Sequence, residues 1–212
     1  SIRGLPDVKR FYADLDIDQL SITATDIRGL VGAGAIPTSI QLPESMNLHG
    51  SFKGSLQNFS TNTRLQSSFG AATVNGTFKN LTSKGRESYN AKIATTNFQL
   101  GRLLKKEDKL GHVTMQIDVN GSGTDPKTAN GTVKGNIDEF HYNGYPYHNL
   151  VIDGKAENGT IDVDANMVDP NATFDLVAHA TLNGSYPSLD MTMQMDSINL
   201  QPLNFYEKDL RF

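Results

Sequence analysis

The chain has 212 residues, of which 37% are hydrophobic, and its 19 basic and 23 acidic residues give a net charge of −4. This length suits one large all-β domain or two small ones. The lack of a clustered basic excess argues against a nucleic-acid binder, and the absence of cysteine excludes disulfides and thiolate metal sites. No run approaches the roughly 20 apolar residues of a membrane span. The chain opens without a signal-like start, and we expect it to be an internal or C-terminal-half fragment of a longer protein.

The first strand pattern is amphipathic and changes its phase once. Leu15 and Ile17 alternate with carboxylates over residues 14–18, as in a strand with one buried and one solvated face. The carboxylates could bind Ca²⁺ or act as an acid/base pair, but a solvated strand face is the simpler interpretation. The apolar spacing then widens from two residues to three before Leu20 and Ile22, which indicates a β-bulge.

The same pattern of strand, phase change and further apolar positions recurs around Ile93 and around Met193. Such repetition is typical of a modular, elongated protein whose units bury their apolar faces together. We therefore predict a single β-groove region over the whole chain, with weak internal repeats at about 11–110 and 111–212.

Turn signals outnumber helix signals. The segment 100–108 is the best helix candidate, at one to three turns, whereas 29–35 is too rich in glycine to predict a helix. Asn-Gly, the strongest short hairpin signal, occurs six times, and Asp153-Gly154 is a related signal. These dipeptides predict the turns of an antiparallel meander. They begin at Asn75, Asn120, Asn130, Asn143, Asn158 and Asn183.

Two of these hairpins predict their own register. If Asn158-Gly159 and Asn183-Gly184 are two-residue turns, each brings apolar residues together on one face of the hairpin. A shift by one residue would turn the apolar set toward water, so these faces are strongly specified. The predicted partners include Ala156 with Ile161, Leu150 with Met167, Ala178 with Leu189, Leu176 with Met191 and Phe174 with Met193.

The hairpin at Asn143-Gly144 carries histidines. A two-residue turn there places Glu139 opposite His148, with His141 diagonal on the same face. Two histidines and one glutamate could hold a metal ion, but they lie on a hairpin that we expect to be flexible, and we predict neither a metal site nor a cofactor. The pattern offers no partner for His112.

No catalytic motif is visible, neither a nucleophile elbow, a P-loop, a dinucleotide fingerprint nor a zinc-protease helix. We therefore predict a non-catalytic, all-β protein: a curled antiparallel sheet with an apolar concave face and one or two short helices. The apolar face is rich in Met and Ala, which are soft or small side chains. From composition alone, a dry sandwich core is favoured over an open groove.

Several stretches resemble the TamB-like translocation and assembly proteins of Bacteroides-type bacteria, which belong to the AsmA/TamB superfamily. The resemblance runs through about residues 10–206 and consists of turn and strand signatures, none of them catalytic. The stretches are Ile40 to Ser55, Phe98 to Leu104, Gly123 to Asn130, Tyr142 to Leu150 and Asp169 to Leu176.

The resemblance implies a long "β-taco" in the periplasm, anchored in the inner membrane by an N-terminal helix outside this sequence. It implies a segment that shields and conducts phospholipid acyl chains between the inner and outer membranes, or that supports outer-membrane protein assembly. An Omp85-type outer-membrane partner would bind regions outside this sequence. The resemblance favours the open groove over the dry core. The expected lining consists of Leu15, Ile17, Leu20, Ile22, Ile93, Phe98, Ile152, Ile161, Val163, Met167, Phe174, Leu176, Leu189, Met191, Met193 and Met195.

Two other functions remain open at this point. The chain could be a chaperone-like scaffold that binds outer-membrane β-strands at a sheet edge. It could also be a carbohydrate-binding or adhesive β-sandwich, with Tyr142, Tyr145 and Tyr147 as a platform for sugar rings. Ordinary cross-strand packing explains these aromatic residues more simply.

Overall fold

A single antiparallel sheet of twelve strands forms the body of the computed structural model, which describes residues 1–4, 10–31, 36–81, 83–184 and 186–203. Each strand pairs only with its neighbours along the chain, so the sheet is a continuous meander. The all-β prediction is confirmed. The strands are β1 (Ile2–Arg3), β2 (Tyr12–Thr23), β3 (Ser45–Gly54), β4 (Phe59–Ser67), β5 (Gly70–Lys79), β6 (Ser88–Gln99), β7 (Leu110–Ser122), β8 (Asn130–Tyr142), β9 (Tyr145–Glu157), β10 (Thr160–Asp169), β11 (Ala172–Thr181) and β12 (Ser188–Ile198).

Two short helices follow strands of this sheet: α1 (Ala24–Val31) and α2 (Leu100–Leu104). The second lies within the predicted helix at 100–108. The first was not predicted, although Thr23 and Asp26 form a reciprocal cap at its start, with backbone-to-side-chain distances of 3.2 and 2.9 Å. It overlaps the segment 29–35, of which residues 32–35 lie outside the described part of the chain. Neither helix is long and apolar enough to span a membrane.

The predicted hairpin of β9 and β10 is confirmed pair by pair, from Ala156 opposite Ile161 to Leu150 opposite Met167. Asn158 and Gly159 have φ angles of 50° and 82°. Two successive residues with positive φ are typical of the type I′ turn, whose twist matches that of the flanking strands.

The predicted register of β11 and β12 is wrong by two residues. Met193 lies opposite Leu176 instead of Phe174, and Leu189 lies opposite Ala180. The connection is a longer loop that closes at Thr181 and Ser188, because the predicted register would have placed Pro187, which has no N–H to donate, inside the ladder. A shift of two residues leaves each side chain on the same face of the strand. The residues predicted for the apolar face of β12 therefore still lie on it.

The Asn-Gly signal predicts too many turns. Asn143 and Asn158 begin two-residue hairpins, and Asn183 lies in the longer loop before β12. Asn75, Asn120 and Asp153 lie inside β5, β7 and β9, and Asn130 is the first residue of β8. At these positions the pairing of long strands overrides a local preference for a turn.

The three predicted phase changes are β-bulges. The register shifts between Ile17 and Leu20 in β2 and between Thr95 and Phe98 in β6, and β12 carries an extra residue after Met195. Asn97, at the second of these bulges, adopts a φ of 48°. A bulge bends its strand and increases the local twist, so the ends of these strands turn away from the line of the sheet.

Most of the larger buried side chains form two clusters at one end of the sheet. One cluster packs Phe69, Phe98 and Val113 together, with Leu100 and Leu103 of α2 against them. A second cluster is formed by Tyr145, Tyr147, Met167, Ala172 and Leu203. Residues from the same ends of successive strands form both clusters. The apolar side chains are therefore packed together at this end of the sheet and more open along the rest of it.

Candidate functional site

One face of the sheet is apolar from β2 to β12, and we call it the apolar face. Residues directly opposite each other in a ladder share a face, so the register traces rows of side chains across the sheet. The central row combines large aliphatic side chains with Gly, Ala and Thr. It contains Ile17, Gly50, Thr63, Val74, Ile93, Ile117, Gly135, Ile152, Ala165, Leu176 and Met193.

All of the predicted lining residues lie on the apolar face. Leu15, Val163 and Met191 belong to the row on one side of the central row, and Ile161 and Leu189 to the next. On the other side lie Leu20, Met167, Phe174 and Met195 in one row, and Ile22 and Phe98 beyond them. Because side chains alternate strictly along a strand, the sequence pattern was sufficient to assign each residue to its face.

Glycines on the apolar face lie unusually close to the neighbouring strands. A Cβ atom built on Gly76 would lie 2.5 Å from the Cβ atom of Ala91, whereas opposite Cβ atoms in an ordinary antiparallel pair are about 4.5–5.5 Å apart. A Cβ atom on Gly154 would lie 2.9 Å from Cγ1 of Val133. The neighbouring strands therefore approach closely at these glycines, and a side chain larger than hydrogen would push them apart.

Two of the predicted lining residues are not accessible. Phe98 and Met167 are 8% and 4% exposed and belong to the two packed clusters. Phe98 packs with Phe69 and Val113, and Met167 belongs to the cluster that contains Leu203. These two residues therefore do not line an open groove.

The rest of the apolar face is open. Within the described part of the chain, no second sheet or helical layer covers its centre, since strands contact only their sequence neighbours there. Ile93, Ile152 and Leu176 are half-buried, and the edge residues Met193 and Leu189 are 42% and 63% exposed. A dry sandwich core would have buried all of them.

A shallow trough runs over β6 to β10 on the apolar face. Its volume is about 200 Å³, and Val119, Val133, Gly154, Ile161 and Val163 are among its lining residues. Enclosed pockets for small ligands are larger, about 300–1,000 Å³. The trough is therefore smaller than a typical enclosed pocket for a compact ligand.

The opposite face is polar and charged. Lys92 pairs with Asp118 at 3.3 Å, and Lys134 pairs with Asp153 at 2.5 Å across neighbouring strands. The second pair offsets the repulsion between Asp153 and Asp164, which lie opposite each other. Two hollows on this face, of about 700 and 640 Å³, are lined mainly by polar residues.

The carboxylates of β2 belong to this polar face. Asp14 accepts a hydrogen bond from Lys53 at 2.8 Å, and this bond lowers the pKa of the Asp14 carboxyl below its ordinary value. Both side chains are about half-exposed or more. The pair is a surface contact, as the alternation predicts.

A group of titratable side chains, which we call the histidine cluster, lies on the polar face near the packed end. Nε2 of His112 and Nε2 of His141 lie 2.8 and 2.7 Å from the same oxygen, Oε1 of Glu139. Hydrogen bonds from His141 and then from His112 lower the pKa of the Glu139 carboxyl. His148 lies opposite Glu139, as predicted. The sequence pattern missed His112 because a register shift between Leu110 and Val113 brings it beside His141.

A buried carboxylate, that of Asp169, lies next to the histidine cluster. The Asp169 side chain is fully buried and lies 3.0 Å from Nδ1 of His148. It accepts hydrogen bonds from the Tyr145 hydroxyl at 2.6 Å and from the Asn171 backbone N–H at 2.8 Å. Burial alone would raise the pKa of Asp169, but these hydrogen bonds outweigh it and lower the pKa.

The aromatic residues of the β8–β9 hairpin do not form an exposed platform. Tyr145 and Tyr147 are 8% and 5% exposed and pack edge-to-face at 4.8 Å. Phe140 stacks on Tyr147 at 4.9 Å. These rings belong to the packed end of the sheet, as the cross-strand interpretation predicts.

Comparison of the chain with protein-family models, with curated proteins and with solved structures finds no match in any of the three. A functional assignment for this chain therefore depends on its fold, its two contrasting faces and the motifs in its sequence.

Proposed function

We propose that this chain is a non-catalytic segment of a bacterial envelope protein of the TamB/AsmA kind, in which the apolar face shelters phospholipid acyl chains. The observation that carries the proposal is an apolar face that extends from β2 to β12 and has no covering layer at its centre in the described residues. Exposed apolar areas of this extent are rare in soluble monomers and typically mark interaction surfaces.

The chemistry of the apolar face suits hydrocarbon. Burial of an acyl chain contributes about 0.8 kcal/mol per CH₂ group, without any requirement for a specific polar contact. The methionines at the β12 edge, Met191, Met193 and Met195, are unbranched and adapt to irregular guests. In this proposal, acyl chains lie along the trough while headgroups remain in water.

The motifs quoted above support the remaining parts of the proposal. The resemblance to TamB-like proteins implies a periplasmic location, an inner-membrane anchor outside this sequence, and movement of lipid between the two membranes. It also implies an Omp85-type partner that binds outside this sequence. These parts are separate from the lipid-sheltering role, which does not depend on them.

A photo-crosslinking residue at Leu176 is expected to label lipid, whereas the same residue at Val177 is expected to label none. The two positions are neighbours in β11 on opposite faces, and Val177 is the more exposed, at 58%. The purified chain is mixed with vesicles of phosphatidylethanolamine and phosphatidylglycerol, irradiated, and examined by mass spectrometry for a lipid adduct. Because random collisions would favour the more exposed position, adducts at Val177 equal to those at Leu176 would contradict the proposal.

A strand-binding scaffold is the second candidate function, and the edge of the sheet favours it. Within the described residues β12 pairs only with β11, and all of its residues are exposed. An unpaired edge of this length is a template for strand addition.

Hydrogen–deuterium exchange tests this second candidate. If a peptide copied from an outer-membrane β-strand adds to the edge, the amides of 188–198 should exchange more slowly in its presence, because they gain hydrogen bonds. Acyl chains donate and accept no such bonds, so lipid alone should leave this edge unprotected. The opposite edge, formed by β1 and by the part of β2 that β1 does not pair with, is the internal control. Equal protection at both edges would indicate non-specific adhesion.

A further inference from the structure

We propose that the histidine cluster on the polar face is a binding site for a divalent transition-metal ion such as Zn²⁺, with His112, Glu139, His141 and His148 as its ligands. The site lies on the face opposite the proposed lipid groove and does not depend on that function. It would join β7, β8 and β9 beside the bulges.

The donor atoms already converge on one point. Nε2 of His112 and of His141 both contact Oε1 of Glu139, and the ligand atoms of these three residues lie within 4.8 Å of one another. Donors around a tetrahedral zinc ion lie about 3.3–3.6 Å apart, given bond lengths of about 2.0–2.2 Å. Small side-chain rotations therefore suffice to place an ion between them.

A third imidazole completes the set. Nε2 of His148 lies 3.8 Å from Oε2, the second oxygen of Glu139. Three imidazoles and one carboxylate form a ligand set that suits zinc and its neighbours in the first transition series. Oxygen-preferring ions such as Mg²⁺ and Ca²⁺ would find only one carboxylate here.

The buried carboxylate provides an independent indication of a metal site. Asp169, whose side chain is fully buried, contacts Nδ1 of His148, the nitrogen that faces away from Glu139. Metal-binding histidines almost always hold their other ring nitrogen against such a partner, which orients the ring. Tyr145 and Asn171 in turn hydrogen-bond to Asp169 and hold it in position.

The backbone is shaped to bring the imidazoles together. A Cβ atom on Gly111 would lie 2.6 Å from the Cβ atom of His141, so only glycine permits this approach. The rings of His112 and His141 lie 3.7 Å apart between centroids. All four proposed ligands have about one-quarter to one-third of the side chain exposed, which leaves an entry path for an ion.

Isothermal titration with zinc chloride tests the proposal on the full chain after treatment with a chelator. We expect one zinc ion to bind per chain, and His141→Ala to weaken binding by more than about 100-fold, beyond the 10–100-fold effect of an outer partner. The matched control is His179→Ala, because His179 also contacts a carboxylate, Asp162, at 2.6 Å on the polar face but has no second imidazole nearby.

Two further measurements make the outcome decisive. Circular dichroism of both variants checks that they are folded, and cobalt(II) substitution reports the ligand geometry through its visible absorption. A tetrahedral cobalt spectrum that disappears in His141→Ala and persists in His179→Ala supports the site. Absence of zinc binding, or equal affinity in the two variants, would show that the cluster is only a set of glutamate–histidine pairs.

Discussion

Replacement of Phe69 by alanine is expected to lower the free energy of unfolding by about 3–5 kcal/mol, the range for truncation of a fully buried phenylalanine. Phe69 is 0% exposed and packs against Phe98 and Val113. It lies in the tight connection between β4 and β5, where the register closes at Ser67 and Gly70. The cavity would open inside the cluster that holds the packed end together.

The ring of Phe69 makes a second contribution that alanine would remove. The Arg102 guanidinium lies 4.5 Å from the centre of the ring, and a cation–π contact of this kind contributes about 0.5–1 kcal/mol at an exposed site. Through Arg102 the ring also holds α2 against the sheet. We therefore expect α2 to exchange its amides faster in the variant.

Urea denaturation compares Phe69→Ala with Phe59→Ala, the matched control. Phe59 stacks between Phe52 and Phe78 at 5.1 and 5.0 Å but is only half-buried on the apolar face. Its truncation should cost less, because solvent or neighbouring side chains fill the space. Equal losses in the two variants would mean that the packed end does not dominate the stability of the sheet.

Replacement of Asp169 by asparagine is expected to cost about 2–4 kcal/mol at neutral pH, because hydrogen bonds to a charged acceptor are lost and buried donors are left without good partners. Asparagine has nearly the same shape, so the loss reports charge and hydrogen bonding instead of a cavity. The donors affected are the Tyr145 hydroxyl and the backbone N–H groups of His148 and Asn171.

The difference between wild type and Asp169→Asn should depend on pH. The pKa of Asp169 is lower in the folded protein than its ordinary value of 3.8. A carboxyl with a depressed folded pKa stabilises the fold above its unfolded pKa, and this stabilisation is lost as the pH falls through the folded pKa. The two proteins should therefore differ most at about pH 7 and converge below about pH 4.

Urea midpoints measured across this pH range test the prediction, with Asp164→Asn as the control. Asp164 is exposed and lies opposite another carboxylate, Asp153, so its neutralisation should change stability little or increase it. A difference between wild type and Asp169→Asn that stays constant with pH would show that the ionised carboxyl does not stabilise the fold.

The faces of the sheet were predictable from the sequence, and the reason is local. The period of two makes the face of a residue depend only on its position along its own strand. Leu15 and Ile17 on β2 and Leu176 on β11 are assigned in the same way, without knowledge of their neighbours. The bulges were predictable for the same reason, since a bulge appears as a change from a spacing of two to a spacing of three.

Turns and registers were predictable only where the turn itself is short. At Asn158 the two-residue turn determines every later pair of its hairpin. At Asn183 a longer loop, with Pro187 at its end, displaces the register by two residues. At Asn75 the turn signal is overridden, because the strand continues on both sides and pairs with two neighbours.

The histidine cluster shows what a linear pattern misses. Glu139, His141 and His148 are close in sequence, and their hairpin places them on one face as predicted. His112 lies on β7, and an irregular register between β7 and β8 brings it next to this group. Asp169 lies at the end of β10 and contacts His148. Neither approach leaves a signal in the sequence, because each depends on how separate strands bend past one another.

The sequence by itself determined that this protein is an antiparallel sheet with one apolar and one polar face, because alternation is a property of each strand alone. Only the tertiary structure decided which apolar residues are packed and which are open. Phe98 and Met193 follow the same pattern, yet Phe98 is 8% exposed and Met193 42%. Burial depends on what lies above a side chain, and the curvature of the sheet, its bulges and its packed end determine that.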